Sequence, residues 1–361
     1  MKELLLIPGP TPVNEEVLKE ISIQPISHVS KDFAFYIEKS IEYLKEIFGT
    51  KKGSILIIPG SGTIAMEMAI KNLLNKNEKA LVLSFGYFGD RFLEILEEDG
   101  FMFDFIKSEW GEVIDLNLIT EKLKKEHFSV ITITHVDTST GILAPSEDYL
   151  KVIKEFSPDS LVILDGVCAT GGVEEKMDEW GIDVILTGSQ KALSVPPGLA
   201  ILSVSEKALK KRKSLGKIGF YYGDFLRWKE TMDDPTKYFA THNTNYVFGL
   251  KKSLEIILSE GLENRFRRHY ENANFIREKM DKIGFKVFGN KNYLSPTLSL
   301  FVYPEGVDDE EFRKKLHEKG ITVASGIKNL KGKVFRMGHM GEVKKDELIY
   351  AYEKIIQVIN R

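Results

Sequence analysis

The sequence predicts an α/β protein, with a mostly parallel seven-stranded sheet in a large domain and a smaller C-terminal α+β domain. Two observations carry that prediction. Between residues 54 and 204, short apolar runs alternate with segments of helical period, as expected for strands covered by helices on both faces. Beyond that region the runs are shorter and more mixed, and 361 residues suffice for one large and one small core.

Ser54–Ile58 is the first strand, four aliphatic residues closed by Pro59-Gly60, and Ala65–Leu74 follows with helical spacing. Ala80–Ser84 is the next strand, Arg91–Glu98 a helix, Met102–Ile106 extended, and Leu116–Lys125 helical. Val130–Thr134 is extended, Tyr149–Phe156 helical, and Leu161–Asp165 and Val184–Thr187 are buried strands. Leu199–Val204 returns after only a short loop, which predicts one antiparallel strand. Ser253–Leu258 and Ala273–Met280 form a long helical connection. Strands near Phe285–Val287, Thr297–Val302 and Thr322–Ala324 then alternate with helices near Glu310–Glu318 and Asp346–Ile359. The first 30 residues, marked by Pro8-Gly9-Pro10 and Pro12, read as an irregular segment covering a cleft. Residues 31–250 then make the large domain, and residues 251–361 the linking helix and small domain.

Composition narrows the function. Hydrophobic content of 43% and charged content of 29% describe an ordinary globular chain. A net charge of −3 gives no electrostatic reason to expect nucleic acid or an anionic membrane as partner. With no 18-residue apolar stretch and no signal-like start, the cytoplasm is the expected compartment. The single cysteine, Cys168, excludes an internal disulfide and reads as a small core residue. Seven scattered histidines argue against a metal centre. Only three glutamines beside abundant Lys, Glu and Ile suggest a thermophilic source.

Ligands of open parallel sheets lie beyond the carboxyl ends of the strands, and this chain places its chemistry there. Lys191 follows Val184–Thr187 in a Gly188-Ser189-Gln190 turn, and Asp165 ends Leu161–Asp165. An amine and an acid so placed suit pyridoxal 5′-phosphate (PLP): the amine forms a Schiff base, and the acid holds the pyridine nitrogen protonated. Pro59-Gly60-Ser61-Gly62-Thr63 opens a helix and can cradle the phosphate with backbone N–H groups. In Gly86-Tyr87-Phe88-Gly89 an aromatic, Phe88 by preference, can lie flat on the ring. His135-Val136-Asp137-Thr138-Ser139-Thr140 supplies hydroxyls for the phenolic oxygen. Any one of these motifs would be unremarkable; their arrival at successive strand ends is not.

With Trp110-Gly111-Glu112, Ser139-Thr140-Gly141, Asp165-Gly166-Val167, Gly188-Ser189-Gln190-Lys191, Pro196-Pro197-Gly198 and Arg336-Met337-Gly338 added, the chain resembles the class V aminotransferases of PLP fold type I. It is most similar to their alanine–glyoxylate and serine–pyruvate group. The resemblance implies Lys191 as the Schiff-base lysine and Asp165 as partner of the ring N–H. It implies Ser61, Gly62, Thr63 and Gln190 at the phosphate, Phe88 on the ring where relatives often carry tryptophan, and Thr138 near the phenolic oxygen. Arg336 and Gly9 would bind substrate, Arg336 gripping the carboxylate in a bidentate pair. His242-Asn243-Thr244 resembles a segment that crosses a two-fold interface, so a homodimer with shared sites is implied, with Thr244 reaching the neighbour's phosphate. The implied reaction is transfer of an amino group from alanine or serine to glyoxylate or pyruvate through pyridoxamine phosphate. Aspartate or 2-aminoethylphosphonate are the alternative donors. A cysteine desulfurase is disfavoured, because the loop Val323-Ala324-Ser325-Gly326-Ile327 lacks the thiol such a lyase needs. A non-catalytic binding module is disfavoured too, because Lys191, Asp165 and Arg336 are all present.

Overall fold

The computed structural model describes residues 3–359. Its main sheet has seven strands, which we label β1 (Ser54–Pro59), β2 (Lys79–Ser84), β3 (Met102–Lys107), β4 (Val130–Thr134), β5 (Leu161–Asp165), β6 (Val184–Gly188) and β7 (Leu199–Val204). Their order is β1-β7-β6-β5-β4-β2-β3, and β7 alone runs against its neighbours. Every residue of β4, β5, β6 and β7 is buried, which is why each reads as an unbroken apolar run. Edge strand β3 keeps solvent on its flank and mixes exposed with half-buried positions. From β2 the chain winds outward to β3 on one side and to β4, β5 and β6 on the other. The switch point therefore falls beside β2 and β4, with the ligand crevice above it.

The small domain is an antiparallel sheet ordered Lys286–Val287, Leu298–Val302, Val334–Gly338, Ala324–Ser325, backed by helices Asp309–Glu318 and Lys345–Ile359. It has its own core, in which Phe285, Phe301, Phe312 and Phe335 pack ring against ring. The strand expected over Thr322–Ala324 is two short ones. Ile321–Thr322 pairs in parallel with Leu4–Leu5, while Ala324–Ser325 pairs with Arg336 and Phe335. Val323 between them is buried in the small core, and the chain changes partner there.

The start of the chain is more regular than expected. Asn14 caps a helix over Glu15–Ile21, its side chain accepting from the Glu16 N–H. Only Val17 of that helix is buried, too little apolar signal to read from sequence. Ahead of it, the segment runs between the two sheets. Leu4–Leu5 extends the small-domain side, the Gly338 N–H donates to the Leu6 carbonyl at 2.9 Å, and Thr11 Oγ1 donates to the Lys191 carbonyl at 2.7 Å. Three residues that the sequence reading singled out, Gly9, Lys191 and Arg336, therefore lie along one seam.

Candidate active site

A cavity opens above the carboxyl ends of the main sheet, lined in part by Ser61, Phe88, Arg91, Asp165, Cys168 and Lys191. At the end of β1, Ser61 occupies the N-cap position of helix Gly62–Leu73, and its hydroxyl makes no capping bond. The Ile64 N–H donates back to the Ser61 carbonyl at 3.1 Å, but the Gly62 and Thr63 N–H groups have no intrahelical partner, so they suit an anion. Gly62 is needed for close packing, because a Cβ there would sit 2.9 Å from Val167 Cγ2. Thr63 and Gln190 complete this end of the cavity.

Beyond β2, Phe88 lies within a helix that begins at Tyr87, four residues before the expected start at Arg91. The reason is Asp137, arriving from the end of β4. Its buried carboxylate accepts from the Phe88 and Gly89 N–H groups at 2.9 and 3.2 Å, and from the Ser139 N–H and hydroxyl at 2.8 and 2.6 Å. Burial pushes the Asp137 pKa up, and those four donors oppose the shift. Asp137 thus fixes the helix that carries Phe88, a role the sequence reading did not assign to it.

Asp165 ends β5 at 3% exposure, its Oδ1 accepting from the Val167 N–H at 2.9 Å. Burial raises its pKa to about 7; the Val167 N–H and Arg91 oppose that, while Asp137 and Glu175 add to it. Glu175 is itself held by His135 Nδ1 at 2.9 Å and by the Thr170 hydroxyl at 2.7 Å. Among the described residues no cation lies within ion-pair distance of the Asp165 carboxyl.

Lys191 Nζ donates to the Pro8 carbonyl at 2.6 Å. Gly9 lies directly over this side chain: a Cβ would come 2.6 Å from both Lys191 Cδ and Nζ, and φ of +141° disfavours any side chain. Buried Arg265 anchors the turn from behind, donating to the Ala192 and Gly171 carbonyls at 2.6 and 3.0 Å. Cys168, expected in the core, packs with Ala169 and Leu298 but also lines the cavity. Burial pushes its thiol pKa up, with Lys191 nearby opposing the shift.

Arg336 enters from the small-domain sheet. Its Nε donates to the Ser325 carbonyl at 2.8 Å and its Nη1 to the Thr138 carbonyl at 3.3 Å, leaving Nη2 without an acceptor among the described residues. Thr138 is buried, and its Oγ1 has no hydrogen-bond partner. Thr244 sits apart from the cavity of its own chain, at the start of helix Thr244–Glu260, with its hydroxyl bonded to Asn245 Oδ1 at 3.1 Å. Of the residues singled out from sequence, Ser61, Gly62, Thr63, Phe88, Asp165, Gln190 and Lys191 line one cavity. Gly9 covers Lys191, Thr138 and Arg336 meet each other beside the switch point, and Thr244 is not among the residues that line the cavity. Arg91 also lines the cavity and was missed, although its place one helical turn after Phe88 could have suggested it.

These groups fit PLP on their own chemistry. An amine, a buried acid that lacks a cation, an aromatic face, a helix N-terminus and an orphaned buried hydroxyl converge where an open α/β sheet binds ligands. Fold and site together define a fold type I PLP enzyme. The chain belongs to the class-V aminotransferase family, whose model matches residues 5–340. It is 38% identical over 352 residues to an uncharacterised aminotransferase of Methanocaldococcus jannaschii, covering 97% of this chain and 90% of the relative. It is 31% identical to serine–glyoxylate aminotransferase of Hyphomicrobium methylovorum, covering 93% of this chain and 84% of that one. Among solved structures, alanine–glyoxylate aminotransferase from Nostoc sp. superposes with a TM-score of 0.95 at 30% identity, covering 99% of this chain and 96% of that one.

Proposed function

We propose that this chain is a PLP-dependent transaminase that moves the amino group of a small amino acid, alanine or serine, to glyoxylate or pyruvate. The observation that carries the reading is the pair Lys191 and Asp165, which face one cavity from the ends of neighbouring strands β6 and β5. The similarity to serine–glyoxylate and alanine–glyoxylate aminotransferases supports this choice of substrates. When bound, PLP supplies an aldehyde that captures amines and a ring that accepts electron density.

The chain's own residues do the rest. Lys191 Nζ would attach the cofactor and, once displaced, would take the substrate's α-proton as base and deliver a proton as acid to the cofactor's aldehyde-derived carbon. Asp165 holds the proton on the ring nitrogen. The Thr138 hydroxyl, unpartnered and buried, donates to the phenolic oxygen. Ser61, Gly62, Thr63 and Gln190 hold the phosphate, and Phe88 covers a ring face. The free edge of Arg336 takes the carboxylate common to amino and oxo acid, with Gly9 keeping that approach open. We place the enzyme in the cytoplasm as a two-fold dimer, in which Thr244 serves the partner's site. No described helix is long and apolar enough to cross a membrane.

Borohydride reduction of the PLP-loaded protein, followed by peptide mapping, should place the cofactor on Lys191. Single-turnover screening should rank alanine and serine above aspartate and 2-aminoethylphosphonate. A label on another lysine overturns the site, and 2-aminoethylphosphonate as best donor overturns the substrate class.

A further inference from the structure

Two cations line the cavity, Lys191 and Arg91. The Lys191 amine is committed to carrying the cofactor, so it cannot also balance a phosphate that bears about −1.5 to −2 charge. A helix N-terminus contributes only about half a positive charge. A partly desolvated dianion needs more than that.

Arg91 is placed to supply it. Its Nη1 donates to Thr63 Oγ1 at 3.2 Å, at the first turn of the helix whose N-terminus faces the cavity. Its guanidinium carbon lies 4.8 Å from the centre of the Phe88 ring and 5.3 Å from that of Tyr87, so two rings fix the cation in place. Among the described residues no carboxylate lies within ion-pair distance of Arg91. Arg212, Arg265, Arg268 and Arg313 are by contrast paired with Asp224, Glu260, Glu260 and Asp309. An unpaired arginine facing a cavity, held by aromatic faces and bonded to a hydroxyl at a helix start, presents its remaining N–H edge to an anion.

We infer that Arg91 is the positioning cation for the cofactor phosphate, acting with Thr63 and using Phe88 as its platform. The inference rests on the reading that the cavity takes PLP. It adds a residue which that reading does not need, and it links the ring-stacking and phosphate-holding parts of the site. A phenylalanine gives less stacking area than a tryptophan, and a guanidinium packed on its ring restores rigidity to that wall.

The test uses two probes that cannot form a Schiff base, 4′-deoxypyridoxine 5′-phosphate and its phosphate-free parent, titrated calorimetrically against apo-protein. Arg91→Gln should weaken the phosphate-bearing probe roughly tenfold to a hundredfold, the range for one charge-assisted hydrogen bond. The phosphate-free probe should change by less than about twofold, because it lacks the anion that the charge serves. Arg91→Lys should recover part of the loss, keeping the charge without the planar fork. Equal loss on both probes would assign Arg91 to holding Phe88 alone and overturn the inference, as would unchanged binding of the phosphate-bearing probe. If wild-type protein binds neither probe, the PLP reading itself falls, and this inference with it.

Discussion

Replacing Asp165 by asparagine should stabilise the empty protein while destroying its activity. The carboxyl is 3% exposed, and burial lifts its pKa from 3.8 to about 7. An unfolded chain would titrate it near the ordinary value. Between those two values the folded state holds a proton that the unfolded state has lost, so stability falls as pH rises through the window, by about 1.4 kcal/mol per unit. The full interval makes the ionised carboxylate a destabilising charge of about 4 kcal/mol above pH 7, and about 2–3 kcal/mol of that develops between pH 5 and 7. Asparagine keeps the shape and can still accept from the Val167 N–H, but it never ionises.

The assay is denaturant unfolding of apo wild type and apo Asp165→Asn at pH 5, 6, 7 and 8. Taking the difference at each pH cancels groups that both proteins share. The variant's advantage should grow from pH 5 to 7 and level off above it. With PLP bound the order should reverse, because the ring N–H supplies the cation that the buried carboxylate lacks, and breaking such a pair costs about 3–5 kcal/mol. A difference that does not vary with pH in the apo proteins would refute the buried-charge account. A holo variant as stable and as active as wild type would refute the pairing.

Arg336→Lys should not behave conservatively: loss of one charge-assisted contact to the substrate carboxylate should lower kcat/KM by roughly tenfold to a hundredfold, in both half-reactions alike. Unchanged steady-state kinetics would make Arg336 structural. Thr138→Val removes a buried hydroxyl that has no partner, so thermal unfolding of the apo-protein should show it no less stable than wild type, with a gain on the order of 1 kcal/mol. The same change should shift the visible absorbance of the bound cofactor, and an unaltered spectrum would move the phenolic oxygen elsewhere. Gly9→Ala puts a methyl 2.6 Å from Lys191 Nζ on a backbone of φ +141°, so borohydride labelling of Lys191 should slow sharply with bulk folding retained by circular dichroism.

What the sequence revealed about this molecule follows from where the causes lie along the chain. Strands β4 to β7 are buried throughout, so their apolar runs announce themselves locally, and the short turn before β7 gives its reversed direction. Asp165 ends β5, and Ser61–Thr63 and Lys191 follow β1 and β6 within a few residues, so finding the strand finds the candidate residue. Asp137 is different. It caps the helix at Tyr87 across 50 positions of sequence, and nothing in Phe85-Gly86-Tyr87-Phe88 says that a carboxylate will arrive there. Arg91 gained its role through that same capping, because starting the helix at Tyr87 turns residue 91 toward Thr63 and the Phe88 ring. The small-domain strand around Val323 is hard to read for a related reason: its two halves pair with Leu4–Leu5 and with Arg336 and Phe335, partners that no local pattern names. Residues whose position is set by their own strand are legible, and residues set by a meeting of distant segments are not. In this chain the second kind surround Lys191, because Pro8, Gly9 and Thr11 reach it from 180 residues or more away. Changes in that N-terminal strap should therefore alter the lysine's chemistry more than its distance in sequence suggests.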